Sequence, residues 1–288
     1  MRRAPGRSRT WLFVPGADEA AHVAAARSGA DVIILELEDF TPPGLRPRAR
    51  ALAAGAFETW RRAGATAAVR VNPLEGDGRT DLESVLPGKP DVVLMPKVVS
   101  AEQVRALEQA TGGTFDLVPN LETAAGVVNL ASILKSSPKV VAALLASEDL
   151  VADLGTSRTR KGEELAYARQ RFLLECRAAG VEAIDYPYTF SDAKGAVADA
   201  RWAKRMGYRM KSLVDPSHAK GINGVFTLQD SEIARARKLV SAFEKARQTG
   251  KERARVEGKL VEVPIYAAAK RLLASIEHTP PPPRKRRR

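Results

Sequence analysis

The stretch Ala30-Asp31-Val32-Ile33-Ile34-Leu35-Glu36-Leu37-Glu38-Asp39 decides the fold class. Val32 to Leu35 is apolar without interruption, and three of these four residues are β-branched. An alternating pattern would leave one face wet. A continuous run fits a strand covered on both faces, as in a parallel sheet flanked by helices. The run opens from a Gly29-Ala30-Asp31 turn and closes on acidic residues. One end is plain turn material and the other is charged.

The same unit recurs along the chain. Short apolar runs predict strands at 11–14, 32–37, 67–71, 92–95, 115–118, 142–145, 181–184 and 210–214. Stretches near 19–27, 46–62, 81–86, 101–109, 126–134, 163–179 and 192–206, several of them Ala-rich, predict helices between them. Ser100 and Asp192 stand where N-caps belong, since their side-chain oxygens can accept from free N–H groups of a first turn. Gly180, after Arg177-Ala178-Ala179, reads as a C′ glycine. Strands that alternate with helices imply a parallel sheet, and eight of them close into a (β/α)8 TIM barrel of the α/β class. The barrel is assigned to 1–229. Helices near 230–248 and 265–276 predict a C-terminal helical extension over 230–278, and 279–288 reads as a disordered basic tail.

Composition narrows the function classes. With 288 residues, 44% hydrophobic and 28% charged, the chain can bury a core and is neither fibrous nor disordered. One cysteine excludes a disulfide scaffold, and three histidines exclude a His-rich metal site. No apolar run reaches the roughly 18 residues of a membrane span, and Trp11-Leu12-Phe13-Val14 is too short for a signal core. The expected location is the cytoplasm, away from any membrane. A net charge of +12 raises nucleic acid as a partner. However, residues 284–288 carry five of those charges behind four prolines. The remaining +7 suits an enzyme with an anionic substrate, which argues against nucleic acid. A polyanion-binding arm would instead give salt-dependent affinity that is lost with residues 280–288.

In such a barrel, chemistry gathers at the C-terminal strand ends. Glu36, Glu38 and Asp39 stand there after strand two, and Arg70 and Asn72 after strand three. Lys97 follows strand four, Glu122 strand five, and Glu148 and Asp149 strand six. Asp185 follows strand seven, while Lys211 and Asp215 bracket strand eight. Carboxylates crowded at one mouth repel unless a cation sits among them. Oxygen-only ligands suit Mg²⁺, and the planar fork of Arg70 suits a substrate carboxylate. Together they suggest polarisation of a carbonyl and stabilisation of an enolate.

Leu12-Phe13-Val14-Pro15-Gly16, Leu37-Glu38-Asp39, Arg70-Val71-Asn72-Pro73-Leu74, Met95-Pro96-Lys97-Val98, Leu121-Glu122-Thr123-Ala124 and Ser147-Glu148-Asp149-Leu150 follow one another in this order. Ala152-Asp153-Leu154-Gly155, Arg158-Thr159 and Tyr167-Ala168-Arg169 come next. From about Arg9 to Leu273 the chain resembles the citrate lyase β-subunit-like branch of the HpcH/HpaI aldolase superfamily, the CoA-ester lyases. The resemblance implies a Mg²⁺-dependent TIM barrel that cleaves or forms a carbon–carbon bond β to a thioester. It implies Glu122 and Asp149 as metal ligands. Arg70, Glu122, Lys97 and Pro15 would meet substrate. Arg70, Glu38, Asp39 and Glu262 would serve catalysis. The substrate implied is a carboxylated β-hydroxyacyl thioester of the citryl-CoA or malyl-CoA type, on CoA or on an acyl-carrier protein. A homotrimer or hexamer is implied, with the C-terminal segment of one subunit capping a neighbour's site.

The chain departs from the family pattern at four places. The usual Asp-Leu-Glu-Asp is Glu36-Leu37-Glu38-Asp39, and Pro-Lys-Val-Glu is Pro96-Lys97-Val98-Val99. His-Pro-x-Gln is Asp215-Pro216-Ser217-His218, and Met-Ile-Asp is Leu260-Val261-Glu262. These motivate a rival reading as a catalytically reduced regulatory or binding homologue. Condensation and thioester hydrolysis use the same constellation as cleavage. A CoA-free oxo-acid aldolase is disfavoured, because the loop Glu38-Asp39-Phe40-Thr41-Pro42-Pro43 has no histidine. Cys176, within Phe172-Leu173-Leu174-Glu175-Cys176, reads as a core position, and His22 as a helical residue.

Overall fold

The computed structural model describes residues 8–277; the N-terminal basic stretch and the basic tail at 279–288 lie outside the described residues. The chain divides after Phe226 into two compact units. The first is a closed barrel of eight parallel strands in sequential order. These are β1 (Thr10–Pro15), β2 (Val32–Glu36), β3 (Thr66–Arg70), β4 (Val92–Met95), β5 (Asp116–Leu121), β6 (Ala142–Leu145), β7 (Glu182–Asp185) and β8 (Met210–Leu213). Closure comes from the pairs Thr10↔Lys211, Trp11↔Ser212 and Leu12↔Leu213. The expected (β/α)8 architecture is what is found. The neighbouring β7 and β8 share only the pairs Ile184↔Met210 and Asp185↔Lys211.

Strand residues alternate between two cores, because successive side chains point to opposite faces. Trp11, Phe13, Val32, Ile34, Ala68, Leu94, Val118, Leu144, Ile184 and Met210 fill the barrel interior. Leu12, Val14, Ile33, Leu35, Val69, Val93, Leu117, Leu145 and Leu213 face the surrounding helices. Each such aliphatic side chain, when fully buried, contributes about 1.5–3 kcal/mol of transfer free energy. The helix Arg46–Arg62 shows how a helix answers that layer. Ala49, Ala53, Ala56, Phe57 and Trp60 form one buried stripe at helical spacing. The small alanines let the helix approach closely. Gly16 allows the end of β1 to do the same: a Cβ there would sit 2.7 Å from the Glu36 carbonyl oxygen and 2.9 Å from Ala49 Cβ. Gly16 N–H donates to that carbonyl at 3.0 Å, so the first two strand ends are locked side by side.

Most helices fall where the sequence predicts them. Ser100 caps the helix Ala101–Ala110 by accepting from Gln103 N, and Asp192 caps Ala193–Met206 by accepting from Gly195 N. Gly180 ends Ala166–Ala179 in the left-handed region, at φ 72°. The single helix expected over 126–134 is instead two short ones, Ala124–Val128 and Leu130–Leu134. Asn129 breaks the run, and its side-chain amide donates to the Val99 carbonyl oxygen. Two helices escaped the sequence reading. Glu148–Asp153 is six residues long, below the length at which periodicity shows, and Ala219–Phe226 holds two glycines.

Among the described residues, the second unit holds two helices, Asp230–Gln248 and Val263–Glu277, joined through the antiparallel strands Ala254–Val256 and Lys259–Val261. The sequence predicts both helices but not the hairpin, whose strands have three residues each. Glu257 and Gly258 turn it with φ 51° and 77°, the two positive angles a type I′ turn requires. Phe243, Val256 and Val261 form its small core.

Candidate active site

The inward face of each strand carries the site. Continuing the parity of Ile34 in β2 places Glu36 and then Glu38 over the barrel interior. Ala68 leads to Arg70, and Val118 leads to Asn120 and Glu122. The pleat thus aims one arginine and three glutamates at the same mouth. Arg70 Nε donates to Glu36 Oε1 at 2.8 Å, and Nη1 donates to Glu122 Oε1 at 3.2 Å. Arg70 Nη2 lies 3.2 Å from Glu38 Oε2, close enough for an ion pair but without hydrogen-bond geometry. The guanidinium sits 4.9 Å over the Phe13 ring, an apolar floor that adds a cation–π contact. Burial opposes the Arg70 charge, but Glu36, Glu122 and Glu38 outweigh it and hold the pKa above the ordinary arginine value.

Glu122 is fully buried. Its Oε1 accepts from Arg70 and, at 3.3 Å, from Asn120 Nδ2. Its Oε2 has no hydrogen-bond partner among the described residues. Desolvation pushes its pKa up to about 7, against the pull of Arg70; Glu38 and Asp149 add to the rise. Asp149 therefore lies within electrostatic reach, half-buried in the first turn of Glu148–Asp153. Glu38 is also buried, and desolvation raises its pKa although Arg70 and Lys97 draw it down. Lys97 Nζ donates to Glu38 Oε1 at 2.5 Å and stands 3.8 Å from Asp39 Oδ1. Lys97 has φ 54°, a left-handed angle uncommon outside glycine, and its side chain stays half exposed. Pro15 is the register partner of Glu36, so it borders the cluster; its carbonyl accepts from Asp18 N and contacts His22 Nε2.

Glu36, Glu38, Glu122 and Asp149 face two cations, Arg70 and Lys97. A hard divalent ion would complete that balance. The unpartnered Glu122 oxygen, the nearby Asp149 and an all-oxygen donor set fit Mg²⁺. Among the described residues no three His, Cys, Asp or Glu side chains group as a ready metal cage. Two carboxylates, with water and substrate oxygens making up the remainder, is the usual way Mg²⁺ is held.

Several residues assigned to the rim belong elsewhere. Asp185 and Lys211 have the outward parity of β7 and β8, so they enter the layer between barrel and helices. There Lys211 Nζ donates to Asp185 Oδ2 at 2.7 Å and pairs with Asp199 Oδ2 at 2.6 Å. Arg169 forks onto Asp185 through Nε and Nη2 at 2.7 and 2.5 Å and reaches Asp199 at 3.0 Å. This quartet is saturated and structural. Asn72 turns to Asp81 and the Leu37 carbonyl, and Asp215 caps the turn that follows β8 by accepting from Ser217 N. Glu148 accepts from Ser147 and Thr189. Glu262, in the second unit, is half exposed and 3.5 Å from Arg253 Nε. Cys176 is buried, and desolvation raises its thiol pKa, which leaves it inert as a nucleophile. The sequence reading missed Asn120, whose Oδ1 is buried beside Glu122 without a hydrogen-bond partner among the described residues. Its signal was the inward parity of Val118, Asn120 and Glu122.

Residues 9–216 match the HpcH/HpaI aldolase/citrate lyase family. The chain is similar to citrate lyase subunit beta of Leuconostoc mesenteroides subsp. cremoris, 31% identical over 284 residues and 94% of each chain. It is similar to the (3S)-malyl-CoA thioesterase of Cereibacter sphaeroides, 34% identical over 93% of this chain and 94% of that one. Among solved structures it resembles the CitE protein of Mycobacterium tuberculosis in complex with magnesium, acetoacetate and coenzyme A. The TM-score is 0.78 at 28% identity, covering 96% of this chain and 100% of that one.

Proposed function

We propose, for a chain that belongs to the HpcH/HpaI aldolase/citrate lyase family and is a lyase of that family, a Mg²⁺-dependent cleavage of carboxylated β-hydroxyacyl-CoA thioesters. The observation that carries this reading is the unfinished charge at Glu122. It is a buried carboxylate, 3.2 Å from Arg70, with one oxygen unpartnered and its pKa pushed up to about 7. Buried polar atoms are as a rule hydrogen-bonded, so an open oxygen on a fully buried carboxylate at the barrel mouth leaves room for a further partner. Glu122 and Asp149 would hold Mg²⁺. When bound, the ion supplies positive charge that polarises substrate oxygens and offsets developing negative charge.

The chain's own residues set the rest. Arg70 offers two parallel N–H donors to the substrate carboxylate. Phe13 supplies an apolar floor beneath that pair. A carboxylate takes the hydroxyl proton; the candidates are Glu38, Asp39 and, from a neighbouring subunit, Glu262. As that proton leaves, the hydroxyl carbon becomes a carbonyl, and the carbon–carbon electron pair moves to the thioester α-carbon. Reprotonation there gives an acetyl thioester, and the other fragment leaves as an oxo acid. Lys97 neutralises Glu38 and Asp39 beside the entrance and can meet substrate anions.

The test is turnover of malyl-CoA and citryl-CoA with Mg²⁺ and with a chelator, products identified by mass spectrometry. Oxo acid and acetyl-CoA appearing only with Mg²⁺ supports the reading. No turnover of either thioester, with an intact fold, refutes it. Similarity to the malyl-CoA thioesterases favours a second reading, hydrolysis to the free acid and CoA, which the same product analysis separates.

A further inference from the structure

Three carboxylates surround Arg70, and the structure sets one apart. Glu36 Oε1 accepts from Arg70 Nε at 2.8 Å and from Glu38 N at 2.8 Å, and Oε2 accepts from Phe40 N at 2.6 Å. It is fully buried, and both oxygens are committed. Among the described residues, Glu38 and Glu122 each keep one oxygen without a hydrogen bond. Those two can release Arg70 when a ligand arrives, whereas Glu36 would strand two backbone N–H groups by moving.

We propose that Glu36 is a positioning residue: it is the permanent counter-ion of Arg70, holding the Nε edge so that Nη1 and Nη2 form the fork that receives a substrate carboxylate. This rests on the reading of Arg70 as a carboxylate clamp. Glu36 and Arg70 are register partners at the ends of β2 and β3, so the backbone already fixes their spacing. With the Nε–H taken by Glu36 and one face over Phe13, the Nη hydrogens are what Arg70 can offer, one of them now donated to Glu122 and released when a ligand arrives. The same carboxylate also anchors the backbone of residues 38 and 40. It therefore places Glu38 and the arginine fork with one group.

The probe is oxaloacetate, titrated calorimetrically in saturating Mg²⁺, on the full chain. All three partners of Glu36 are donors, so in Glu36→Gln the amide NH₂ must face one of them. We expect about tenfold or greater weakening of oxaloacetate in Glu36→Gln, with partial recovery in Glu36→Asp, which restores the charge. Mg²⁺ affinity without oxaloacetate should hold within about twofold, and in turnover KM should rise more than kcat falls. A folded Glu36→Gln that binds oxaloacetate as the wild type does overturns the proposal. Should that variant not fold, the wild-type protein decides. With isotope-labelled arginine, the Arg70 Nε–H resonance, identified by its loss in Arg70→Lys, should stay protected from exchange with and without oxaloacetate. Rapid exchange of that proton overturns the proposal. If Arg70→Ala leaves oxaloacetate binding intact, the clamp reading itself falls, and the proposal with it.

Discussion

Consider replacing Glu122 by Gln and following stability against pH in the presence of a chelator. Glu122 titrates in the folded chain at about 7, because burial disfavours its charge more than Arg70 favours it. In the unfolded chain it returns to its ordinary value near 4.5. A carboxyl raised in this way leaves the fold at full strength below about pH 4.5 and weakens it as pH rises through about 7. The loss over the whole range is about 3 kcal/mol, and about 2 kcal/mol of it falls between pH 5.5 and pH 8. Gln does not titrate. Whatever the substitution costs in packing is constant with pH, so the difference between variant and wild type should move by about 2 kcal/mol in favour of Gln across that interval. Urea unfolding at the two pH values measures it. Saturating Mg²⁺ should then restore the wild type at pH 8 and do much less for the variant, by mass action. A difference that stays flat with pH, together with equal Mg²⁺ stabilisation of both proteins, would refute a desolvated metal-ligating Glu122.

Arg70→Lys keeps the charge and loses the fork. We expect kcat/KM to fall by about 10²-fold on the best thioester, and a value within about twofold of wild type would make Arg70 structural. Asp199 has its pKa lowered to about 2, since Lys211 and Arg169 outweigh its burial. A depressed carboxyl stabilises the fold above its unfolded value of 3.8, and that contribution is lost as pH falls through about 2. Asp199→Asn should therefore cost about 3 kcal/mol at neutral pH without changing KM, and an unchanged melting temperature would contradict this. Glu262→Gln mixed with Arg70→Ala should regain some turnover, because an oligomer can pair a sound barrel with a sound C-terminal segment. Sedimentation as an active monomer, or mixed oligomers without rescue, would remove Glu262 from the chemistry.

The barrel was legible because its signals are local. Val32 to Leu35 and Val92 to Met95 are continuous apolar runs, and Ser100, Asp192 and Gly180 mark helix ends by chemistry that acts within one turn. What misled was treating every polar residue at a strand end as facing the mouth. Asp185 closes β7 and Lys211 lies within β8, but one step of pleat sends both outward, away from Glu36, Arg70 and Glu122. Pairing partners were illegible for another reason. Arg169 lies on a helix and Asp199 on the next, and nothing local says that both turn to the same seam. Asn120 could have been found by counting alternate residues back from Glu122.

The Arg169, Asp185, Asp199 and Lys211 quartet sits at the β7–β8 seam, where the backbone ladder is only two pairs long. That seam is held by side chains as much as by the ladder, and those side chains are mutually dependent. Removing any one leaves an uncompensated charge buried among the other three, whereas replacing all four by well-packed apolar residues removes the buried charges and leaves only the Tyr186 carbonyl and hydroxyl to be satisfied. Substitution here has a barrier in sequence space: each single step descends into instability, while the far side is level ground. A survey of the four positions should find every lone replacement costly and a matched set far cheaper than the sum of its parts. Independent, additive costs would show instead that the four charges are neighbours and not a unit. A lineage that has entered this arrangement has no easy stepwise exit, so the quartet constrains descent in the layer between barrel and helices, away from the Arg70 cluster.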